Sequence, residues 1–429
     1  MVGYLSSLLG RSSQPVKPVS QQDGPVHTAL PAPFYHSEAV YQLERRAIFS
    51  KQWLFVCHER LLDENGKYQT YNIAGYTFFA IRGKDGEIRA FFNNCRHRGF
   101  PVVCPKDPSK ANTTEVGKAQ ILACSYHNWS YSSIGTLAKA PGFQDVEGFD
   151  PKEHSLLPLP IHKDKNGFVY VNMDHSEDGI SWKEQFGDLE DQERFKKFDW
   201  DNYSYAQSWG IDDAQYNWKI LVDNYSECHH CQYTHPGFVQ TTDLKTYNVE
   251  CGQGYMAHYV KAKPEALTPG ADPDKFAFNF IFPYGSHTLT PFYFYTMRIC
   301  PTSATTCSVQ YDVFRHKDCT DEVFAANHEF FVQVETEDKE LCMGTQRGLE
   351  MGTYRSGPLH PTKERGVIYF QQKHLEALQA HHEKEVAAGH EIRGAQFQYR
   401  GKEVKGEGFL NEVESGCAGA CGGDAEMEW

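Results

Sequence analysis

This sequence predicts an α+β fold: an antiparallel β domain followed by a domain with helices over a second antiparallel sheet. Three observations carry that expectation. Between residues 58 and 173, runs of strand-formers such as YQTYNIAGYTFFAIRG, EIRAFFNNC and NGFVYVNMD alternate with Gly and Asp turns. Beyond residue 174, strand-like and helix-like segments fall in separate blocks. Within that second part, Asn217 to Pro236 (NWKILVDNYSECHHCQYTHP) mixes the apolar residues of an amphipathic helix with histidines, cysteines and carboxylates.

In chain order, residues 1–24 read as a flexible polar tail with Arg11 and Lys17 its basic residues, poorly endowed for a mitochondrial presequence. Residues 25–57 form a helical lead-in packed on the second domain, since AVYQLERRAIFSKQWLFV carries apolar residues at helical spacing before a strand. The β domain spans 58–173 and the second domain 174–409. In the latter, Trp182–Phe198 is expected to be helical. FAFNFIFPYG, SHTLTPFYFYTMRIC and TTCSVQYDVFRH supply aromatic-rich strands. DEVFAANHEFFVQVETEDKELCMGTQRGL and KERGVIYFQQKHLEALQAHHEKEVAAG supply two long helices. Residues 410–429 read as a Gly-rich acidic tail, in which Cys417 and Cys421 have no assigned role.

A net charge of −14 argues against nucleic acid or an anionic membrane as the main partner. No apolar run approaches the length of a membrane span. Thirteen cysteines, odd in number and without regular spacing, point to free thiols and metal ligands in a reducing compartment. The cytoplasm is the expected location, with the mitochondrion as the alternative.

Two constellations carry chemistry. In the β domain, Cys95-Arg-His97 and Cys124-Ser-Tyr-His127 each offer one thiolate and one imidazole. Together they suit a tetrahedral zinc or a [2Fe–2S] cluster with the histidines on one iron. The second constellation is Asn217–Pro236. On one continuous helix, Asp223, Glu227 and His230 share a face, and His229 points about 120° away. Pro236 ends that helix and frees His235 to swing back beside His230. His230 and His235 are therefore the ligand pair, with His229 a bystander and Cys231 a small hydrophobe beside the metal. A third ligand comes from the helix around Glu329–Gly348. Phe331, Val334, Asp338, Leu341 and Thr345 form its inward stripe, which selects Asp338 and leaves Glu335 and Glu337 toward solvent. Two histidines and one carboxylate leave open positions on iron(II) for dioxygen and substrate.

CRHRG and CSYHNWSY closely resemble the two halves of the Rieske signature, although the segment between them is longer than usual. Both constellations in this order resemble the catalytic α subunit of Rieske non-haem iron oxygenases, over roughly residues 35–405. The resemblance implies that Cys95, His97, Cys124 and His127 hold a [2Fe–2S] cluster, and that His230, His235 and Asp338 hold a mononuclear Fe(II). It places Glu227 as the carboxylate linking a cluster histidine of one subunit to an iron histidine of its neighbour, with Asp223 in support behind it. It also implies a homotrimer, O2 as co-substrate, and electron entry at the cluster. No G-x-G-x-x-G follows a strand, so a separate flavin/iron–sulfur reductase is expected to oxidise NAD(P)H.

Glu227 in its DNYSECHHCQYTHP setting, with Glu337-Asp338 and the LC and Q-x-G-L that follow, resembles the choline, glycine betaine, carnitine and stachydrine oxygenases. A quaternary ammonium donates no hydrogen bond and is held by aromatic faces. Phe276, Phe278, Phe280 and Phe282 alternate on one strand, and Phe292 and Phe294, or Tyr293 and Tyr295, on another. Phe280, Phe282, Phe292 and Phe294 are the expected cage. The expected activity is hydroxylation or N-demethylation of a small quaternary ammonium compound. The alternatives are a Rieske oxygenase of an aromatic or secondary metabolite, and a zinc-stabilised, non-enzymatic binding protein.

Overall fold

The computed structural model describes residues 25–104, 115–177, 179–267 and 271–395. Both expected tails, with Cys417 and Cys421, lie outside the described residues.

After the short strand β1 (His27–Thr28), Ser37 caps helix α1 (Glu38–Glu44) by accepting from the Val40 N–H. The chain passes through a π-turn at Arg45–Phe49 into β2 (Trp53–His58). Short strands follow: β3 (Lys67–Ile73), β4 (Tyr76–Arg82), β5 (Ile88–Phe92), β6 (Val116–Lys118), β7 (Ile121–Ala123), β8 (Ser130–Ser132), β9 (Leu137–Lys139), β10 (Pro158–Leu159), β11 (Ile161–Lys163) and β12 (Phe168–Asn172). They pair as sheets β10-β5-β4-β3-β6, β7-β8-β9 and β11-β12-β2, each pairing antiparallel.

The second part is built on a seven-stranded antiparallel sheet of order β13-β19-β18-β17-β16-β15-β14. Its strands are β13 (Tyr203–Ala214), β14 (Thr242–Cys251), β15 (Tyr255–Ala262), β16 (Ala277–Ile281), β17 (Gly285–Leu289), β18 (Tyr293–Pro301) and β19 (Cys307–His316), with β20 (Pro358–Leu359) pairing β1. The aromatic strands β16 to β19 were expected. β13 and β14 are the edge strands, rich in polar residues, and do not stand out in the sequence.

One face of this sheet meets β2 and β12. Phe168 stacks on His287 at 3.8 Å and Phe55 meets the same ring edge-on at 4.7 Å. Buried Arg298 joins the layers, donating through Nη1 to Asp312 Oδ2 at 2.6 Å and to the Val56 carbonyl at 2.8 Å. A buried guanidinium is tolerated only where such partners replace its water.

The helices are α2 (Trp182–Phe186), α3 (Trp218–Tyr225), α4 (Cys231–Thr234), α5 (Pro236–Thr241), α6 (Asp321–Glu350) and α7 (Arg365–Ala388). α3, α6 and α7 pack against the opposite face, where Phe331 of α6 lies 3.7 Å from Tyr295 and Phe370 of α7 lies 5.8 Å from Phe280. Two helix expectations are corrected. Trp182–Phe198 is α-helical only to Phe186, because Gly187 turns the chain at φ 56° and only 3-10 turns follow. Asn217–Pro236 is two short helices rather than one, with a third starting at Pro236. Asn217 caps α3, which ends at Ser226, whose hydroxyl turns back on the Val222 carbonyl at 2.6 Å. Among the described residues, no helix is long and apolar enough to cross a membrane.

Candidate active site and its metal centres

Two hairpin-like loops carry the first constellation. The Cys95 N–H donates to the Phe100 carbonyl and the Cys124 N–H to the Trp129 carbonyl, both at 2.8 Å. Gly99 and Asn128 take the positive φ values these turns demand. Cys95 and Cys124 are buried, His97 half-buried and His127 exposed, so the thiols face inward and the imidazoles reach the surface. The Tyr131 hydroxyl sits 3.2 Å from Cys95 Sγ. His97 stacks on Trp129 at 5.0 Å, and its ring lies 4.5 Å from that of His127. The His97 Nδ1 is buried with no hydrogen-bond partner, as a ligand nitrogen would be. Two buried thiols and two imidazoles at the tips of paired loops are the donor set that a [2Fe–2S] cluster takes, with the histidines on one iron.

The second constellation is assembled by α3, the loop after it, α4 and α6. His230 Nε2 and His235 Nε2 lie 3.4 and 3.2 Å from Asp338 Oδ1. Their opposite nitrogens are fixed by carboxylates: His230 Nδ1 by Glu227 Oε1 at 2.5 Å, and His235 Nδ1 by Glu337 Oε2 at 2.7 Å. Each imidazole thus carries its proton on Nδ1 and presents Nε2 to the centre, as metal-bound histidines do. Asn224 Nδ2 donates to Asp338 Oδ1 at 3.1 Å. Without a metal, hydrogen bonds to Asp338 and Glu227 outweigh the burial that opposes protonation of His230 and push the group up to about 9; a metal on Nε2 would take the place of that second proton. Burial likewise favours the neutral acid at Asp338, and the two histidines hold it down at about 2.

A cavity of about 540 Å³ opens beside this triad. Tyr225, Tyr247, Phe276, Phe278, Phe292 and Tyr295 contribute its aromatic wall. Glu227, Glu335 and Asp338 are its carboxylates, and no lysine or arginine is among its described lining residues.

Comparison with known proteins matches residues 52–150 to the Rieske [2Fe-2S] domain and residues 198–380 to the ring hydroxylating alpha subunit (catalytic domain). The carnitine monooxygenase oxygenase subunit of Acinetobacter baumannii is 30% identical over 370 residues, 80% of this chain and 92% of that protein. The chain belongs to the Rieske non-haem iron monooxygenases. The chloroplastic choline monooxygenase of Beta vulgaris is 28% identical, covering 79% of this chain and 75% of that protein. Among solved structures, the quaternary ammonium Rieske monooxygenase CntA in complex with L-carnitine matches with a TM-score of 0.70 at 27% identity, over 83% of this chain and 99% of that one. A naphthalene 1,2-dioxygenase from Rhodococcus shares the fold, with a TM-score of 0.68 at 20% identity. This monooxygenase therefore carries a Rieske cluster and a mononuclear iron, which sets aside the zinc-stabilised binding protein.

Several sequence expectations for this monooxygenase are corrected by its structure. Asp223, Glu227 and His230 do not share one helical face, since α3 ends before Glu227. Glu227 nevertheless meets His230 through a turn, its Oε2 accepting from the backbone N–H groups of His229 and His230. Asp223 faces away from the triad, accepting from Tyr35 at 2.5 Å and Gln371 at 3.1 Å. Burial pushes its carboxyl up to about 7. Cys231 is not a free thiol: it is joined to Cys228 in a disulfide. Its sulfur lies within 4.8 Å of the two histidine donors, but in the disulfide it offers no thiolate. Glu335 and Glu337 do not point to solvent, because α6 is covered on two sides. Glu337 orients His235, and Glu335 lines the cavity with the Tyr311 hydroxyl donating to it.

Of the expected cage, only Phe292 lines the cavity. Phe280 and Phe282 continue the Phe276/Phe278 face of the sheet, but there α7 covers it and Phe370 packs on both rings. Phe294 is on the other face, stacked on Phe314 at 4.4 Å. Asn224, Tyr225 and Tyr247 were missed. Asn224 and Tyr225 lie in the stretch already singled out, where proximity to the ligands was the available signal. Tyr247 belongs to an edge strand that left no such signal.

Proposed function

We propose that this monooxygenase hydroxylates or N-demethylates a small quaternary ammonium compound, using O2 and electrons from a separate NAD(P)H-dependent flavin/iron–sulfur reductase. The observation that carries this reading is the cavity wall. Aromatic faces and carboxylates, without a lysine or arginine among the described lining residues, suit a cation that has no hydrogen to donate. The relatives named carnitine and choline monooxygenase, and CntA in complex with L-carnitine or γ-butyrobetaine, support the same class.

On this reading Cys95, His97, Cys124 and His127 hold the cluster, and His230, His235 and Asp338 hold the iron. When bound, the iron would supply a position at which dioxygen, the oxidant, is activated to functionalise a C–H bond. The chain's own residues do the rest. Glu227 and Glu337 fix the ligand imidazoles, and the rings of Tyr225, Phe292 and Tyr295 hold the substrate and keep bulk water away.

We assign Glu227 as the electron bridge between subunits of a homotrimer. The cluster loops expose Phe100, Tyr126 and His127. Behind Glu227, a second hollow of about 350 Å³ is lined by Cys228, His229, Lys245, Lys363 and Arg365, a place for a neighbour's cluster tip. A structure of CntA is described as giving insight into inter-subunit electron transfer. A cytoplasmic location fits the seven cysteines among the described residues that neither hold the cluster on this reading nor join the Cys228–Cys231 disulfide.

The test is a panel of choline, glycine betaine, carnitine and stachydrine with a coupled reductase, scored by O2 and NADH consumption and product mass. Turnover of one, with a product 16 mass units heavier or one methyl lighter with formaldehyde released, supports the reading. Turnover of none, with stimulation by apolar aromatic compounds instead, overturns it.

A further inference from the structure

We propose that Glu335 is the counter-charge that selects a cationic substrate in this cavity, a role that rests on the quaternary ammonium reading above. The three cavity carboxylates have different duties. Glu227 is committed to the His229 and His230 N–H groups and to His230 Nδ1. Asp338 faces the Nε2 atoms of both histidines. Glu335 is in neither set. Among the described residues it forms no salt bridge with a lysine or arginine, and its recorded donor is the neutral Tyr311 hydroxyl.

Position gives the carboxylate its meaning. Glu335 sits on α6 one turn before Asp338, so both project from the same helix face toward the cavity. One turn earlier, Phe331 packs 3.7 Å from Tyr295 and 5.3 Å from Tyr311. The carboxylate therefore stands between the metal ligands and the aromatic wall, where a substrate's reacting carbon and its cationic head must both be accommodated.

The charge balance points the same way. Asp338, with Glu227 and Glu337 behind the two imidazoles, already more than matches the two charges of an iron(II), so Glu335 is left to be matched by what enters. An N-methylated cation spreads its charge over methyl groups, which ring faces attract and a buried carboxylate attracts more strongly at low dielectric. Burial and the adjacent Asp338 push the Glu335 carboxyl up to about 8, and a fixed positive charge in the cavity works against that by favouring the carboxylate. An aromatic cage already favours a trimethylammonium group over a tert-butyl group of the same shape through its ring quadrupoles. The carboxylate adds a charge–charge attraction that only the cation receives, and so widens that preference.

The experiment compares, on the iron-loaded enzyme, the Kd of whichever ammonium compound the wild type binds with that of its uncharged carbon isostere, such as choline against 3,3-dimethylbutanol. Glu335→Gln is expected to weaken the cation by at least about tenfold while leaving the isostere within about twofold and the iron content unchanged. Glu335→Asp should recover most of the cation preference. Tyr311→Phe, which removes the hydroxyl and keeps the charge, should retain it. Equal weakening of cation and isostere, or no change in either, overturns the proposal and leaves the substrate class standing. If the wild type binds no ammonium compound at all, the substrate class itself fails, and Glu335 with it.

Discussion

Each histidine of the triad is held at both ends, and that is what makes single substitutions informative. Asp338 faces both Nε2 atoms, so Asp338→Ala should lose the mononuclear iron while the red-brown colour of the cluster persists. Full retention of that iron would move the assignment to another carboxylate. Glu227 lies behind His230 rather than in front of it, so Glu227→Gln should still load both metal centres when iron is in excess, with the mononuclear site weakened no more than by the Glu337 change below. Its expected defect is electron transfer: the cluster is reduced as before, but single-turnover oxidation of the cluster with substrate and O2 slows by about a hundredfold or more. An unchanged rate would exclude the bridge. Glu337→Gln keeps a group beside His235 Nδ1 but removes its charge, and should weaken iron binding by about 10–100-fold, measured by titration of the iron-free site.

At the scale of elements, the site depends on how three helices are tied together beneath it. Glu44 of α1 accepts from Lys219 Nζ at 2.6 Å and Trp218 Nε1 at 2.9 Å on α3, and lies 2.9 Å from His374 Nε2 on α7. All three charged or polar partners are fully buried. Removing one member leaves another buried without compensation, so Glu44→Ala should cost about 3–5 kcal/mol in denaturant unfolding. The pH dependence has a definite sign. Burial alone would raise the Glu44 carboxyl, but Lys219 and His374 outweigh it and hold it down at about 2, below its ordinary 4.5. A carboxyl lowered on folding stabilises the protein above its unfolded pKa, and that contribution disappears as pH falls from 4.5 toward 2. Acid unfolding should therefore steepen in that window, and the Glu44 variant should lose the part of the slope that Glu44 contributes. A variant with an unaltered acid profile would show that the tie does not govern the helix layer.

For the whole molecule, the decisive question is which cluster serves which iron. A subunit with Cys95→Ser lacks a cluster, and one with Asp338→Ala lacks the mononuclear iron. Each homo-oligomer should be inactive. Mixed oligomers formed by co-expression should recover turnover, because an intact cluster of one subunit then faces an intact iron of its neighbour. Activity absent from purified mixed oligomers that hold both irons would place electron transfer within one chain.

The sequence by itself narrowed the chemistry to two sets of ligand candidates. Cys95, His97, Cys124 and His127, and then His230, His235 and Asp338, stood out because metal ligands are few residue types at restricted spacings, and the resemblance to the Rieske signature favoured iron over zinc. The α+β class, the two long helices and the aromatic strands were legible because burial imposes periods on apolar residues. Only the tertiary structure decided which groups meet. Asp223 faces Tyr35 and Gln371, and it parts from Glu227 and His230 because a turn at Ser226 ends a helix that the pattern alone continued. Phe280 and Phe282 left the cavity because α7 covers their end of the sheet, and strand alternation fixes a face without saying what lies against it. Glu335 entered the cavity for the converse reason. A period assigns a direction, and the packed neighbours determine whether that direction leads to water, to core or to substrate.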